Sequence, residues 1–213
     1  MNRSWIIIFS ALILYTPLFI FKSVGPVDFW LWMTLIVTVL LALMIILDWA
    51  WPGWCARNIK THFFRTTGIG LLAAATLYAI FYAGNEFSRI LFPFASGNIQ
   101  DVYLLKQGAS VWRIGLLISL LIGPAEELIW RTFVQEKLSR HMTGLKAGLV
   151  TTFFYTAIHF GSGNVMLILA ALVCGLFWGA LYFRFKSVWA NVISHTIWDL
   201  AVFLIFPFEK FTP

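Results

Sequence analysis

Six ionisable side chains lie in segments of the chain that are otherwise apolar. Three of them fall in the stretch GPAEELIWR, which directly follows the uncharged run IGLLISLLI. The other three lie in two later apolar segments. Ionisable groups within membrane-spanning segments are costly, and they usually mark a functional site. The six are Glu126, Glu127, Arg131, His159, His195 and Asp199.

The spacing of the first three residues predicts different roles for the two adjacent carboxylates. Glu127 and Arg131 are four residues apart and share one face of a helix, so they can form an ion pair. Glu126 is turned away from this face by about 100°. Carboxylates in different environments differ in proton affinity, which suits one to structure and the other to acid–base chemistry. The pattern therefore predicts Glu127 as structural and Glu126 as a base.

Two further segments repeat the four-residue spacing. Tyr155 and His159 are four apart, and Asn191, His195 and Asp199 follow one another at the same interval on another helix. Taken singly, each feature has a plain structural interpretation, such as a neutralised pair or an orienting hydrogen bond. Together they favour a polar site where three helices meet in the bundle interior, away from lipid.

Composition identifies the elements that must position these residues. Of 213 residues, 61% are hydrophobic and 11% are charged, whereas about a quarter of a soluble domain is charged. The apolar runs approach the length needed to cross a bilayer core of about 30 Å. The sequence predicts an all-α, polytopic membrane helix bundle with about seven transmembrane helices, at residues 5–21, 29–47, 68–83, 111–135, 145–160, 165–183 and 188–206.

One integrated membrane domain is expected, in two regions. Residues 1–109 hold three spans and a Trp- and Arg-rich interfacial segment, and residues 110–213 hold the polar motifs. Residues 84–110 are predicted to be the longest loop. The net charge is +6, and the basic residues that produce it are scattered through the short connections between spans. Basic residues in such positions usually set the orientation of a protein in the membrane, so nucleic-acid binding is not expected. The bias of these basic residues favours a cytoplasmic N-terminus.

The order and spacing of the motifs resemble the CPBP intramembrane proteases, the CAAX-protease and bacteriocin-processing family also called Abi. The three family motifs read here as EELIWR (126–131), YTAIH (155–159) and HTIWD (195–199), and the resemblance covers roughly residues 110–206. The chain departs from the usual pattern at three positions. Thr132 follows the motif arginine where many members have Gly, Tyr155 stands where Phe is commoner, and Asp199 stands where the best-known prenyl-protein proteases have Asn.

The resemblance implies an intramembrane endopeptidase. Its substrate would be a membrane-associated protein or peptide, namely a prenylated CAAX-type protein, a leader peptide or a C-terminal sorting anchor. Glu126 would deprotonate a water molecule that His159 helps to orient. His195 would stabilise the oxyanion, with Asp199 and Asn191 orienting its ring. The supporting residues would be Asn191, Tyr155, Glu127 and Arg131.

Two alternatives stay open at this stage. Glu126, His159 and His195 form a two-histidine, one-carboxylate set of the kind that binds zinc in hydrolases. The chain has no HExxH motif that would put two ligands on one helix, so we favour a mechanism without a cofactor. The second alternative is a non-catalytic protein. Buried Glu, His and Asp also form proton relays in transporters. The same fold could also serve as an inactive membrane scaffold or immunity factor. In either case the partner is the lipid bilayer, and the expected location is a prokaryotic cytoplasmic membrane.

Overall fold

The computed structural model describes residues 3–208, which fold as helices joined by short turns, without a β-strand in that range. Residues 1–2 and 209–213, the ends of the two predicted regions, lie outside the described residues. In chain order the helices are α1 (Arg3–Phe21), α2 (Phe29–Leu47), α3 (Trp51–Lys60), α4 (Phe63–Leu91), α5 (Ala95–Tyr103), α6 (Val111–Leu138), α7 (Gly144–Ala157), α8 (Val165–Phe185) and α9 (Val188–Ile205).

The helices confirm the predicted all-α polytopic membrane bundle. Within residues 3–208, helices α1, α2, α4, α8 and α9 are each long and apolar enough to cross a bilayer. A sixth span results if α6 is counted together with Ala95–Lys106, from which it is bent by 92°. Helix α7 has 14 residues, so it is about 21 Å long, which is less than the hydrocarbon thickness of about 30 Å.

The connection at residues 84–110, predicted to be a loop, is largely helical instead. Helix α4 continues to Leu91, and α5 occupies Ala95–Tyr103. Arg89 explains the difference, because its guanidinium binds Asn85 Oδ1 (3.0 Å), Ser96 Oγ (3.0 Å) and the Phe208 carbonyl (2.8 Å). These bonds satisfy polar groups that favour a loop in the isolated sequence, and they hold α5 across the end of the bundle.

Ion pairs connect both ends of α2 to α6. Asp28 caps the start of α2 by accepting a hydrogen bond from Leu31 N (2.9 Å), and it also pairs with Arg113 near the start of α6. At the other end, Asp48 pairs with Lys137 near the end of α6, and the Lys137 hydrogen bond lowers the pKa of Asp48. The two helices therefore run parallel, so that the N-terminal helices pack directly against the helix that carries the two glutamates.

A close helix contact packs α4 against the side of α9 that lies opposite its polar residues. At Gly70 of α4, an added Cβ would lie 2.8 Å from the Ala190 carbonyl oxygen and 2.8 Å from Ile193 Cβ. Only a residue without a side chain allows the two backbones to approach this closely. Helix α4 thus covers one side of α9, whose opposite side carries the polar motif residues.

The substitution Gly70→Ala should therefore destabilise the bundle. A methyl group at this contact would force α4 and α9 apart, at a cost of about 2 kcal/mol for overpacking. We expect the midpoint of thermal unfolding in detergent to fall by about 5 °C. The matched control is Gly68→Ala in the same helix, where a Cβ meets nothing within 4 Å. An unchanged or raised midpoint in Gly70→Ala would contradict the close contact.

Candidate active site

Glu127 is the most heavily hydrogen-bonded carboxylate of the site. Its side chain is fully buried, with 0% exposure. Oε2 accepts from Arg131 Nε (3.3 Å) and from Asn191 Nδ2 (2.9 Å), while Oε1 lies 2.8 Å from His195 Nδ1. The contact between Glu127 and Arg131 is the one that their spacing predicted. Glu127 thereby joins α6 to α9 through two of its three partners, Asn191 and His195.

Glu126 has a different environment from its neighbour. Oε1 accepts from the Tyr15 hydroxyl (3.2 Å) and Oε2 accepts from the Tyr155 hydroxyl (3.4 Å). His195 Nε2 is 3.8 Å from Oε2. The only short contacts of this carboxylate among the described residues are thus to neutral phenols, and it faces a cavity rather than an arginine. Two adjacent acids therefore have separate surroundings, as the helical geometry predicts.

The ring of His195 is fixed on three sides. It stacks on Trp178, with ring centroids 3.7 Å apart and planes inclined by 18°. Its Nδ1 donates to Glu127, because an ionised carboxylate can only accept. Its Nε2 is 3.4 Å from Asp199 Oδ2. The second nitrogen is consequently directed to the space between Glu126 and Asp199.

His159 is held with a defined tautomer. Its Nδ1 is 2.8 Å from the Tyr155 carbonyl oxygen, and since a carbonyl only accepts, Nδ1 must carry the proton. In the neutral ring, Nε2 is then a free acceptor. The ring packs against Phe19 of α1, with centroids 4.6 Å apart. The helix ends here in a short 3₁₀ turn, Phe160–Ser162, which places His159 at the edge of the site.

One cavity connects the chemical groups. It has a volume of about 420 Å³ and is lined by residues of α1, α2 and α4 to α9. Its polar end is formed by Glu126, Tyr155, His159, His195 and Asp199. The remaining wall is mainly apolar and includes Met33, Phe81, Ile99, Met166, Ala170 and Trp198.

The backbone of α6 departs from α-helical geometry on both sides of the glutamates. Residues Ile118–Ile122 and Leu128–Gln135 are π-helical, and the end of α9, Ala201–Ile205, is also π-helical. Short π segments occur frequently at functional sites. Pro124 follows the first of them, where its missing amide interrupts the regular hydrogen-bond ladder. The glutamates thus occupy a short α-helical segment, Gly123–Glu127, between two wider ones.

The structure separates the predicted site residues into two layers. Glu126, Tyr155, His159, His195 and Asp199 line the cavity, and Glu127, Arg131 and Asn191 lie behind them. One expected contact differs, because Asn191 donates to Glu127 and to the Trp178 carbonyl (both 2.9 Å) instead of orienting His195. Glu127 contacts the His195 ring directly, so Asn191 acts on the ring only through its hydrogen bond to Glu127.

Two residues of the site were not predicted. Tyr15 on α1 contacts Glu126, and Trp178 on α8 stacks on His195. Neither belongs to a polar cluster in the sequence. A tyrosine in the middle of the apolar run ALILYTPLF is a weak signal, and tryptophan is common throughout this chain.

The proposed zinc ligands do not form a metal site as they are placed. Among residues 3–208, no group of three His, Cys, Asp or Glu side chains is arranged to hold a metal ion. Both oxygens of Glu126 accept from tyrosine hydroxyls, and one of them is 3.8 Å from His195 Nε2. The arrangement of these donors therefore does not fit the ligand set Glu126, His159 and His195.

A carboxylate and two imidazoles that face one cavity inside a membrane helix bundle are groups that general acid–base hydrolysis can use, so an intramembrane hydrolase is the candidate class. In agreement with this class, residues 108–201 match the family model of the type II CAAX prenyl endopeptidase Rce1-like proteins. Over these residues the match agrees with the predicted family, and it supports a CAAX-type intramembrane endopeptidase in general terms. Comparisons with curated proteins and with solved structures found no match.

Arg131→Leu should damage the fold before it affects chemistry. Removing the guanidinium leaves Glu127 buried without its cation, at a cost of about 3 kcal/mol. We expect the unfolding midpoint in detergent to fall by about 10 °C. The control is Arg57→Leu on α3, whose side chain is exposed. Equal midpoints for the two variants would show that the buried pair has no structural role.

Tyr15→Phe tests whether α1 contributes to the site. The change removes a hydroxyl that binds Glu126 and leaves the buried ring in place. If Glu126 is the base that its spacing predicts, kcat for peptide cleavage should fall about tenfold with KM unchanged, since the bond orients Glu126 rather than the substrate. In the control Tyr78→Phe, the lost hydroxyl binds the Phe206 carbonyl instead. A wild-type kcat in Tyr15→Phe would rule out this role.

Proposed function

We propose that the protein is an intramembrane endopeptidase in which Glu126 activates a water molecule. The observation that carries this proposal is the asymmetry of the two glutamates. Glu127 is occupied by three partners, among them Arg131, whereas Glu126 binds only neutral phenols and faces the cavity. A carboxylate that is buried beside a cavity and not paired with an arginine is suited to take a proton from water.

Glu126 and His159 would act on the same water molecule. Glu126 accepts one proton, and the free Nε2 of His159 accepts a hydrogen bond that orients the water. The water oxygen then bonds to the scissile carbonyl carbon to give a tetrahedral oxyanion. When the C–N bond breaks, Glu126 returns the proton to the leaving amine. This sequence needs no co-reactant other than water.

His195 is the proposed oxyanion donor. Its Nδ1 proton is held by Glu127, so donation to the oxyanion falls to Nε2, on the side of the ring that faces the cavity. The stacked Trp178 keeps the ring in its plane. Asp199 Oδ2, 3.4 Å from Nε2, would orient this nitrogen. A donor fixed before the reaction stabilises developing charge without reorganisation.

The cavity wall supports a substrate with an apolar segment next to the scissile bond. Beyond the polar end, the wall is formed mainly by aliphatic and aromatic side chains from α2, α4, α5, α8 and α9. Such a wall can accommodate a prenylated CAAX peptide, the apolar part of a leader peptide or a C-terminal anchor. Of these three, the family match favours the CAAX-type substrate.

Peptide cleavage by two single variants distinguishes a protease from a proton relay or a scaffold. We expect Glu126→Gln and His159→Ala each to lower cleavage of a farnesylated CAAX peptide in proteoliposomes at least a thousandfold. The control is His141→Ala, whose side chain is exposed and belongs to none of the site motifs. A wild-type protein that cleaves no peptide but loses proton coupling in the two variants would favour the relay. A protein whose cellular function is intact in both variants would favour the scaffold.

Chelation tests the choice between a glutamate and a metal mechanism. We expect cleavage to continue in the presence of a strong chelator, because the proposed steps use only side chains and water. The assay compares the untreated protein, the chelated protein and the chelated protein with added zinc. Loss of activity on chelation and its return with zinc would replace the proposed mechanism with the metal-dependent one.

A further inference from the structure

The far side of Arg131 has polar atoms without protein partners. Its Nε binds Glu127, but Nη1 and Nη2 are buried and make no hydrogen bond to any group in residues 3–208. One face of the guanidinium lies against the Tyr155 ring, 5.5 Å from its centroid. Since a buried N–H without an acceptor is destabilising, these donors require a further acceptor.

Gln135, one helical turn further along α6, has a buried acceptor that also lacks a hydrogen-bond partner. Its Oε1 is buried and has no donor among the described residues. The orientation of the amide is determined by Nε2, which donates to the Gly179 carbonyl (2.9 Å). Turning the amide over would place two oxygens together, so Oε1 must be the atom that faces the unpaired side.

The unpaired donor and the unpaired acceptor face the same point, at Gly179 of α8. A Cβ built on Gly179 would be 3.6 Å from Arg131 Nη1, 3.7 Å from Gln135 Oε1 and 3.5 Å from Thr152 Oγ1. These are ordinary contact distances for carbon. The missing side chain of Gly179 therefore leaves a small space with a cationic donor on one side and a carbonyl acceptor on another.

We propose that this space binds a structural water molecule, which accepts from Arg131 Nη1 and donates to Gln135 Oε1. Thr152 Oγ1 is its third neighbour. A buried water typically makes about three hydrogen bonds to protein groups that are otherwise unsatisfied. An anion would satisfy the arginine but would be repelled by Gln135 Oε1. A water molecule, which can both accept and donate, matches this combination of one donor and one acceptor.

The water gives Gln135 a role as a positioning residue. It connects the Gln135 amide to the guanidinium, whose Nε holds Glu127, which in turn holds His195. In this series of contacts only His195, at its far end, would touch the substrate, and Gln135 and Arg131 would not. The water would fix the Nη1 end of the Arg131 guanidinium, while Glu127 fixes its Nε.

Two substitutions at Gly179 separate the water from simple packing. Gly179→Ala fills the space with a methyl group that offers no hydrogen bond, so we expect the unfolding midpoint in detergent to fall by about 5 °C. Gly179→Ser places a hydroxyl between the same two atoms, where it can accept from Arg131 and donate to Gln135. We expect its midpoint to lie within about 1 °C of the wild type.

Packing alone predicts the opposite order, because alanine is smaller than serine and favours a helix more. Gly68→Ala reports the effect of helix propensity at a site with open space. A midpoint for Gly179→Ala that is equal to or above that of Gly179→Ser would overturn the proposal. Unfolding is measured without substrate, so the result does not depend on the proposed reaction.

An experimental structure of the wild type gives a second, independent test. A map at about 2 Å resolution should show a density peak within hydrogen-bond distance of both Arg131 Nη1 and Gln135 Oε1. The same map of Gly179→Ala should lack it. A wild-type map with ordered side chains and no peak between them would overturn the proposal even if neither variant folds.

Discussion

The burial of Glu127 is the constraint on which the rest of the site depends. A carboxylate with no exposure inside an apolar bundle is tolerated only if its charge is paired and its oxygens accept hydrogen bonds. Arg131 supplies the charge, and Asn191 and His195 supply donors from another helix. The same contacts that satisfy Glu127 also bring α6 and α9 together and set the plane of His195. Folding and preorganisation of the site are thus the result of one set of bonds.

The proposed role of Glu126 rests on the pairing of its neighbour Glu127 with Arg131. Two adjacent carboxylates on a helix must face different directions, and here one faces the arginine and the other the cavity. The first helix completes the arrangement, since Tyr15 reaches Glu126 across the bundle. The N-terminal helices therefore form part of the site, although the family model matches only residues 108–201.

The sequence could predict those features that depend on local spacing. The four-residue interval between Glu127 and Arg131 predicts their contact, and long apolar runs predict most of the helices. Contacts between distant residues, such as the one from Tyr15 to Glu126, leave no local pattern. Nor does the sequence reveal the π-helical stretches around the glutamates, because they arise from competition among packing, Pro124 and the backbone ladder. The segment around Arg89 was wrongly predicted to be a loop for the same reason, since its polar groups find partners that are distant in sequence.

The most direct test of the central claim compares the stability of two isosteric variants, Glu126→Gln and Glu127→Gln. Both remove one negative charge from adjacent positions on α6 without changing side-chain volume. If Glu127 is the structural carboxylate, Glu127→Gln leaves Arg131 buried without a counter-ion, and its unfolding midpoint falls by about 10 °C. Glu126→Gln should unfold within about 2 °C of the wild type. Equal losses in both variants, or a larger loss in Glu126→Gln, would contradict the division of roles between the two glutamates.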